Sequence, residues 1–222
     1  MSHYQTLKDR HRQIRDSFPR SLDLRVHRSL SWLQRAEQCS DDDDGRFIFL
    51  WIAFNAAYAQ EIRHDGASTD VLPEQELLRN FLHRLVTLDS DKHLSAMVWT
   101  EFPRAIKLLL NNQYVFQPYW DSQNGRRPRG EWSGLFERAK VTAARALGSD
   151  DTARVLGNVF SRLYTLRNQI IHGGSTWNSS VNRDQVRDGG NILGQLVPVI
   201  ITLMMTHPAS DWGEPCYPVV AH

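Results

Sequence analysis

From residue 47 to residue 59 the chain carries a single polar side chain, Asn55. A helix that is apolar on nearly every side has no face to offer water, so it must be surrounded by other elements. Thirteen residues are also too few to cross a bilayer, which takes roughly 20 helical residues. The segment therefore predicts the central helix of a bundle. A buried amide needs hydrogen-bond partners, so Asn55 either ties this helix to a neighbour or orients a site residue.

The rest of the chain supplies the helices to surround it. Tyr4, Leu7, His11, Ile14 and Phe18 recur at spacings of three and four, until Pro19 stops the pattern. Leu22, Val26, Leu30, Leu33 and Ala36 repeat it. Leu77, Leu78, Phe81, Leu82, Leu85 and Val86 form another helix after Pro73, and residues 94–110 continue with a break near Pro103. Residues 111–131, rich in Gly, Pro, aromatics and arginine, lose the periodicity and read as a long inserted loop. Helical spacing resumes over 135–147.

Val155, Leu156, Val159, Phe160, Leu163, Leu166 and Ile170 make the clearest amphipathic helix. Asp150 or Asp151 caps its start, and Gly173-Gly174 ends it. A final helix over 192–205 contains Pro198 and is expected to kink there; residues 207–222, with three prolines, read as an irregular tail. Strand signals are nearly absent. The expectation is one all-α domain over 1–222, with its core at about 20–206.

Charge and cysteine usage narrow the function classes. Lys and Arg total 26 against 25 for Asp and Glu, so any anionic partner must be held by a local patch rather than by global charge. Cys39 and Cys216 form no CxxC pair, which suits a reducing cytoplasm. Nothing over residues 1–18 has the continuous apolar region of a signal peptide. The four acids Asp41 to Asp44 read as a solvated loop or the start of the next helix. They lack the spaced ligands and closing Glu of a calcium loop.

His27, His64, His83, His93 and His207 form no HExxH or other closely spaced metal set. Ser175 and Ser179 lack a G-x-S-x-G elbow, and there is no P-loop or dinucleotide fingerprint. Neither metal nor cofactor is expected.

What remains is the end of the strongest helix, Arg167-Asn168-Gln169-Ile170-Ile171-His172. At about 100° per residue, Asn168 and His172 share a face, while Arg167 and His172 diverge by about 140°. On the helical wheel Arg167 falls on the apolar side, with no acid three or four positions away. A guanidinium there needs an anion or acceptors from elsewhere, either a structural carboxylate or a bound phosphate. His172 sits in the last turn, before two glycines that permit close approach of a ligand or a second subunit. A helix C-terminus favours a cation, and imidazole exchanges protons near neutral pH, so general acid–base work is within its reach. Read blandly, Arg167 is a core-edge arginine and His172 a cap.

Two segments carry a resemblance. Residues 166–173, containing Arg167, a polar residue, a short spacer and His172, and the apolar stretch at 49–58 are together similar to the HEPN superfamily, helical bundles named for higher eukaryotes and prokaryotes nucleotide-binding domains. The resemblance implies a metal-independent endoribonuclease, often a toxin or antiviral defence effector, acting as a homodimer with both motifs in one cleft. It implies that His172 is general acid or base, that Arg167 binds the scissile phosphate, and that Asn168 holds substrate or positions His172. Attack by the ribose 2′-OH would leave cyclic phosphate and 5′-OH ends. A toxin branch silenced by nucleotidyl transfer has Tyr two positions after the His; here that position is Gly174.

Residues 119–132 interleave Arg126, Arg127 and Arg129 with aromatics including Trp120, a mixture that grips phosphates and stacks unpaired bases or is simply a solvated loop. The expected partners are RNA, a second copy of the chain and an antitoxin or regulatory protein, without a membrane. The competing class is a noncatalytic module that binds RNA, nucleotide or protein. A third, a purely structural domain, requires Arg167 to pair with an internal carboxylate.

Overall fold

The chain is seen in a computed structural model that describes residues 2–59 and 74–217. His64 and Pro73, named above, lie outside them, as do tail residues 218–222. The described residues form ten α-helices and no strand element. These are α1 (His3–Ile14), α2 (Arg20–Glu37), α3 (Asp43–Tyr58), α4 (Glu74–Leu88), α5 (His93–Ala96), α6 (Pro103–Leu110), α7 (Gln117–Gln123), α8 (Glu131–Gly148), α9 (Thr152–Ile171) and α10 (Arg183–Thr206).

The apolar segment at 47–59 does lie at the centre. It forms most of α3, which packs between α2 and α10 and touches α9. Phe47, Leu50, Trp51, Ala53, Phe54 and Ala57 are buried. Phe54 and Phe160 of α9 stack with centroids 4.3 Å apart, which joins the central helix to the one bearing the candidate motif. Among the described residues no tie from Asn55 to a neighbouring helix is seen. Its side chain is half-buried and forms no hydrogen bond among the described residues.

The acidic run opens α3. Asp42 is its N-cap, accepting the Gly45 N–H at 3.0 Å, and Asp43 and Asp44 occupy the first turn, where carboxylates complement the helix dipole.

The inserted loop proves to be partly helical. Residues 113–115 make a 3-10 turn and 117–123 make α7. Pro118, one of the residues behind the loop reading, stands in the first turn of α7, where proline is favoured because the N–H it lacks would be unpaired there anyway. Asn112 caps the 3-10 turn through Tyr114 N, and Phe116 seats the segment against Phe136 of α8 at 5.2 Å between centroids. Pro103 behaves likewise, standing in the first turn of α6 just after a π turn at Met97–Glu101.

The last helix begins earlier than its apolar pattern, at Arg183, and continues through Pro198 as one element. It is long and apolar enough to cross a membrane by length and composition, but 67% of its most apolar window is buried inside the bundle, as in the core helix of a globular protein. Residues 207–217 beyond it are irregular and anchored. Arg25 of α2, fully buried, donates to the carbonyls of Ala57 (2.9 Å), Gly213 (3.1 Å) and Glu214 (2.9 Å). That gives the guanidinium acceptors without a carboxylate, while burial lowers its pKa to about 10.

Candidate functional site

The site is built at the C-terminal end of α9. Asp151 caps the helix by accepting the Arg154 N–H at 3.0 Å, and Val155, Leu156, Val159, Phe160, Leu163 and Leu166 are buried. Past Leu166 the helix leaves the core. Arg167, Asn168, Gln169 and Ile170 are half-buried, and Ile171 and His172 are exposed.

The helix closes as a Schellman motif. Gly173 N–H donates to Ile170 O at 3.1 Å, and Gly174 N–H reaches back to Gln169 O at 2.7 Å. Each glycine has its own reason. Gly173 has φ +69°, and a Cβ on Gly174 would stand 2.9 Å from Gln169 O. The pair fixes where the chain leaves His172.

Asn168 links the other two candidate residues. Its side-chain Oδ1 accepts from Arg167 Nη1 at 3.0 Å, and its backbone carbonyl accepts the His172 N–H, also at 3.0 Å. The His172 imidazole makes no hydrogen bond among the described residues, and no carboxylate there forms an ion pair with Arg167. The internal pairing that a purely structural role requires is therefore missing among those residues.

One placement differs from expectation. The arginine inside the apolar stripe of α9 is Arg162, 5% exposed, and not Arg167. Its guanidinium lies over the rings of Phe116 at 4.3 Å and Phe136 at 5.7 Å, with one long hydrogen bond to Leu110 O at 3.5 Å. Burial pushes its pKa down to about 10. The helical wheel could not rank the two arginines, because the rings that cover Arg162 come from α8 and the segment read as a loop.

The chain after His172 is held by residues that sequence reasoning left without a role. Trp177 Nε1 donates to Asp42 Oδ1 at 3.1 Å, Asn178 N to Asp44 Oδ2 at 2.9 Å, and Arg183 pairs with Asp44 at 2.7 Å. Two of the four clustered acids thus anchor the loop that begins at the candidate histidine. The only sequence signal for this was the acidic run itself. Among the described residues no group of three or more His, Cys, Asp or Glu could hold a metal ion.

The structure brings only part of the predicted RNA grip to this end of α9. Trp120 joins Asn168, Gln169 and Asn182 around a cavity of about 230 Å³ between α7 and α9. The three arginines are not among the residues lining it. Arg126 pairs with Asp121 at 3.8 Å and Arg127 with Glu131 at 3.2 Å, both at the surface, while Arg129 is exposed. A second cavity, also of about 230 Å³, lies between α2, α3 and α10 beside Arg46 and Glu37 and contains none of the predicted residues.

No protein-family model, curated protein or solved structure matches the chain. Its own geometry must carry the functional argument.

Proposed function

We propose that this chain is a metal-independent endoribonuclease of the HEPN type, with Arg167, Asn168 and His172 as its working residues. The observation that carries this reading is the half-open Arg167 guanidinium, free of any carboxylate partner among the described residues, joined through Asn168 to an exposed His172. A planar, permanently charged fork matches the oxygens of a phosphodiester. A histidine supplies proton transfer near neutral pH.

In the proposed reaction a base removes the proton of the ribose 2′-OH, and that oxygen attacks the adjacent phosphorus. The bond from phosphorus to the 5′ oxygen breaks, and an acid protonates the departing oxygen. Arg167 neutralises the charge that grows on the phosphoryl oxygens. The products are a 2′,3′-cyclic phosphate and a 5′-OH.

Arg167 and His172 are about 140° apart around one helix, so the proposal includes a homodimer that brings two motifs into one cleft. The exposed face of α9 supports that part. It carries Tyr164, 43% exposed, and Ile171, 48% exposed, beside His172, with Trp177 at 72% just beyond. Such an apolar stripe fits a self-complementary contact. Two imidazoles in a shared cleft would supply one base and one acid. A role as a toxin or antiviral effector in the cytoplasm, restrained by an antitoxin or regulatory protein, belongs to the same proposal.

Incubating purified protein with structured and unstructured RNA in EDTA tests the assignment. Cleavage should fall by two to four orders of magnitude in His172→Ala, the range removed with a general acid or base. Binding without cutting would instead favour a noncatalytic module.

A further inference from the structure

The cavity between α7 and α9 is lined by ten residues, none of them charged. No cation there draws the phosphate into this particular space. Five carboxamides and one indole make up most of the wall, Gln117, Asn124, Asn168, Gln169, Asn182 and Trp120, and the hydroxyls of Thr165 and Ser175 complete its polar lining. At about 230 Å³ it falls below the roughly 300–1,000 Å³ of drug-sized ligand sites, so it suits a single ring system rather than a whole nucleotide or a peptide.

Four of these five amides have partners whose chemistry permits only one orientation, while the Asn124 side chain makes no hydrogen bond among the described residues. A guanidinium can only donate. Because Arg167 Nη1 donates to Asn168 Oδ1 at 3.0 Å, Asn168 is left with its NH₂ to offer. A carboxylate can only accept. Because Gln117 Nε2 donates to Asp121 Oδ1 at 3.0 Å, Gln117 is left with its carbonyl oxygen. Gln169 spends both ends, donating to Tyr114 O and accepting from Asn182 Nδ2 at 2.9 Å, so Asn182 too is left with an oxygen. Among these four oriented amides the ends without a partner are two oxygens, of Gln117 and Asn182, and one NH₂, of Asn168. Trp120 is pinned by its Nε1 donating to the same Tyr114 carbonyl at 2.8 Å, a fixed apolar plane of the kind unpaired bases stack on.

We propose that this cavity is a nucleobase subsite that takes one unpaired base of the RNA strand, preferring guanine to uracil. It rests on the RNA reading above and names the substrate feature that site would select. Two protein acceptors and one donor call for two ligand donors and one acceptor. The Watson–Crick edge of guanine supplies N1–H and N2–H₂ with O6; uracil presents two carbonyls around one N–H and would leave carbonyls facing carbonyls. Asn168 contacts Arg167 on one side and lines the cavity on the other, so the selected base is one adjoining the phosphate that Arg167 would hold.

The test uses fluorescein-labelled 2′-O-methyl oligouridylates carrying a single G, A, C or U at the centre, titrated into wild-type protein and followed by anisotropy. These strands lack a free 2′-OH and cannot be cut by the proposed chemistry, so binding is read separately from turnover. Guanine should bind about tenfold or more tighter than uracil, the size of one lost hydrogen bond. Trp120→Ala should weaken guanine binding about tenfold, Trp120→Phe should retain most of it, and Asn168→Asp should narrow the guanine preference. Displacement of the labelled strand by guanosine 5′-monophosphate better than by uridine 5′-monophosphate checks the ranking on wild-type protein, with no dependence on how a variant folds. Equal binding of all four strands, or no binding of any, overturns the subsite. Selective binding without cleavage in EDTA would retain the subsite and remove the nuclease; His172-dependent cleavage with equal binding would do the reverse.

Discussion

Two of the three arginines in helix α9, five residues apart, meet opposite fates. Arg162 belongs to the part of the helix that is core, where its charge is covered by two phenylalanine rings and one distant carbonyl. Arg167 belongs to the last turn and a half, where the helix has emerged and its guanidinium is half-open beside Asn168. Lacking an acidic partner is thus no mark of a phosphate ligand in itself. Arg162 makes no carboxylate ion pair among the described residues either, yet it is sealed from any substrate. Accessibility, and the neighbour that orients the group, separate the two.

The comparison can be broken most sharply by activity. Arg167→Ala should reduce RNA cleavage by two to three orders of magnitude, the loss typical of one charge-stabilising donor. Arg162→Met should leave cleavage within a few-fold of wild type. Initial rates on one labelled RNA decide it, and equal losses in the two variants would erase the distinction.

Stability should show the opposite ordering along the helix. Phe160→Ala removes the ring stacked 4.3 Å from Phe54 and should cost about 3–5 kcal/mol, read by urea unfolding. Ile171→Ser, at an exposed position, should stay within about 0.5 kcal/mol for the monomer. It should weaken self-association if the exposed face of α9 is a dimer contact, which sedimentation would detect.

At the junction, Gly173→Ala forces a Cβ onto a backbone with φ +69° and should cost about 1–2 kcal/mol. Its thermal midpoint should drop by a few degrees. The smallest effect is expected of Arg162→Met on stability. Replacing a buried charge that lacks an anion with an apolar side chain of similar length is often neutral or stabilising, so a midpoint within a few degrees of wild type, in either direction, is the expected result. A loss as large as that of Phe160→Ala would show that the rings contribute far more than their geometry implies.

The regions legible in the sequence are those where periodicity and burial agree. The apolar segment in α3 could only be central, and the stripe of α9, its acidic cap and its glycine stop are all where their spacing put them. The loop at 111–131 was misjudged because Pro118 and clustered aromatics carry the same signal in a turn as in the first turn of a short helix. The site was half legible. Asn168 and His172 sharing a face followed from helical geometry, whereas the anchoring of the following loop by Asp42 and Asp44, well over a hundred residues away, has no local signature. The carboxamide cavity depends on Tyr114, Gln169 and Asn182 meeting in space, and no wheel or spacing places them together. Nor could any local pattern foretell which arginine the phenylalanines would cover.

The central claim is that an exposed imidazole and a guanidinium with no carboxylate partner among the described residues, both at the end of α9, cut RNA without a metal. End-group analysis of a defined RNA incubated in EDTA addresses it most directly. The account predicts 2′,3′-cyclic phosphate and 5′-hydroxyl termini that appear with wild-type protein and vanish with His172→Ala. Intact RNA under wild-type protein, or the same fragments from both proteins, would contradict it.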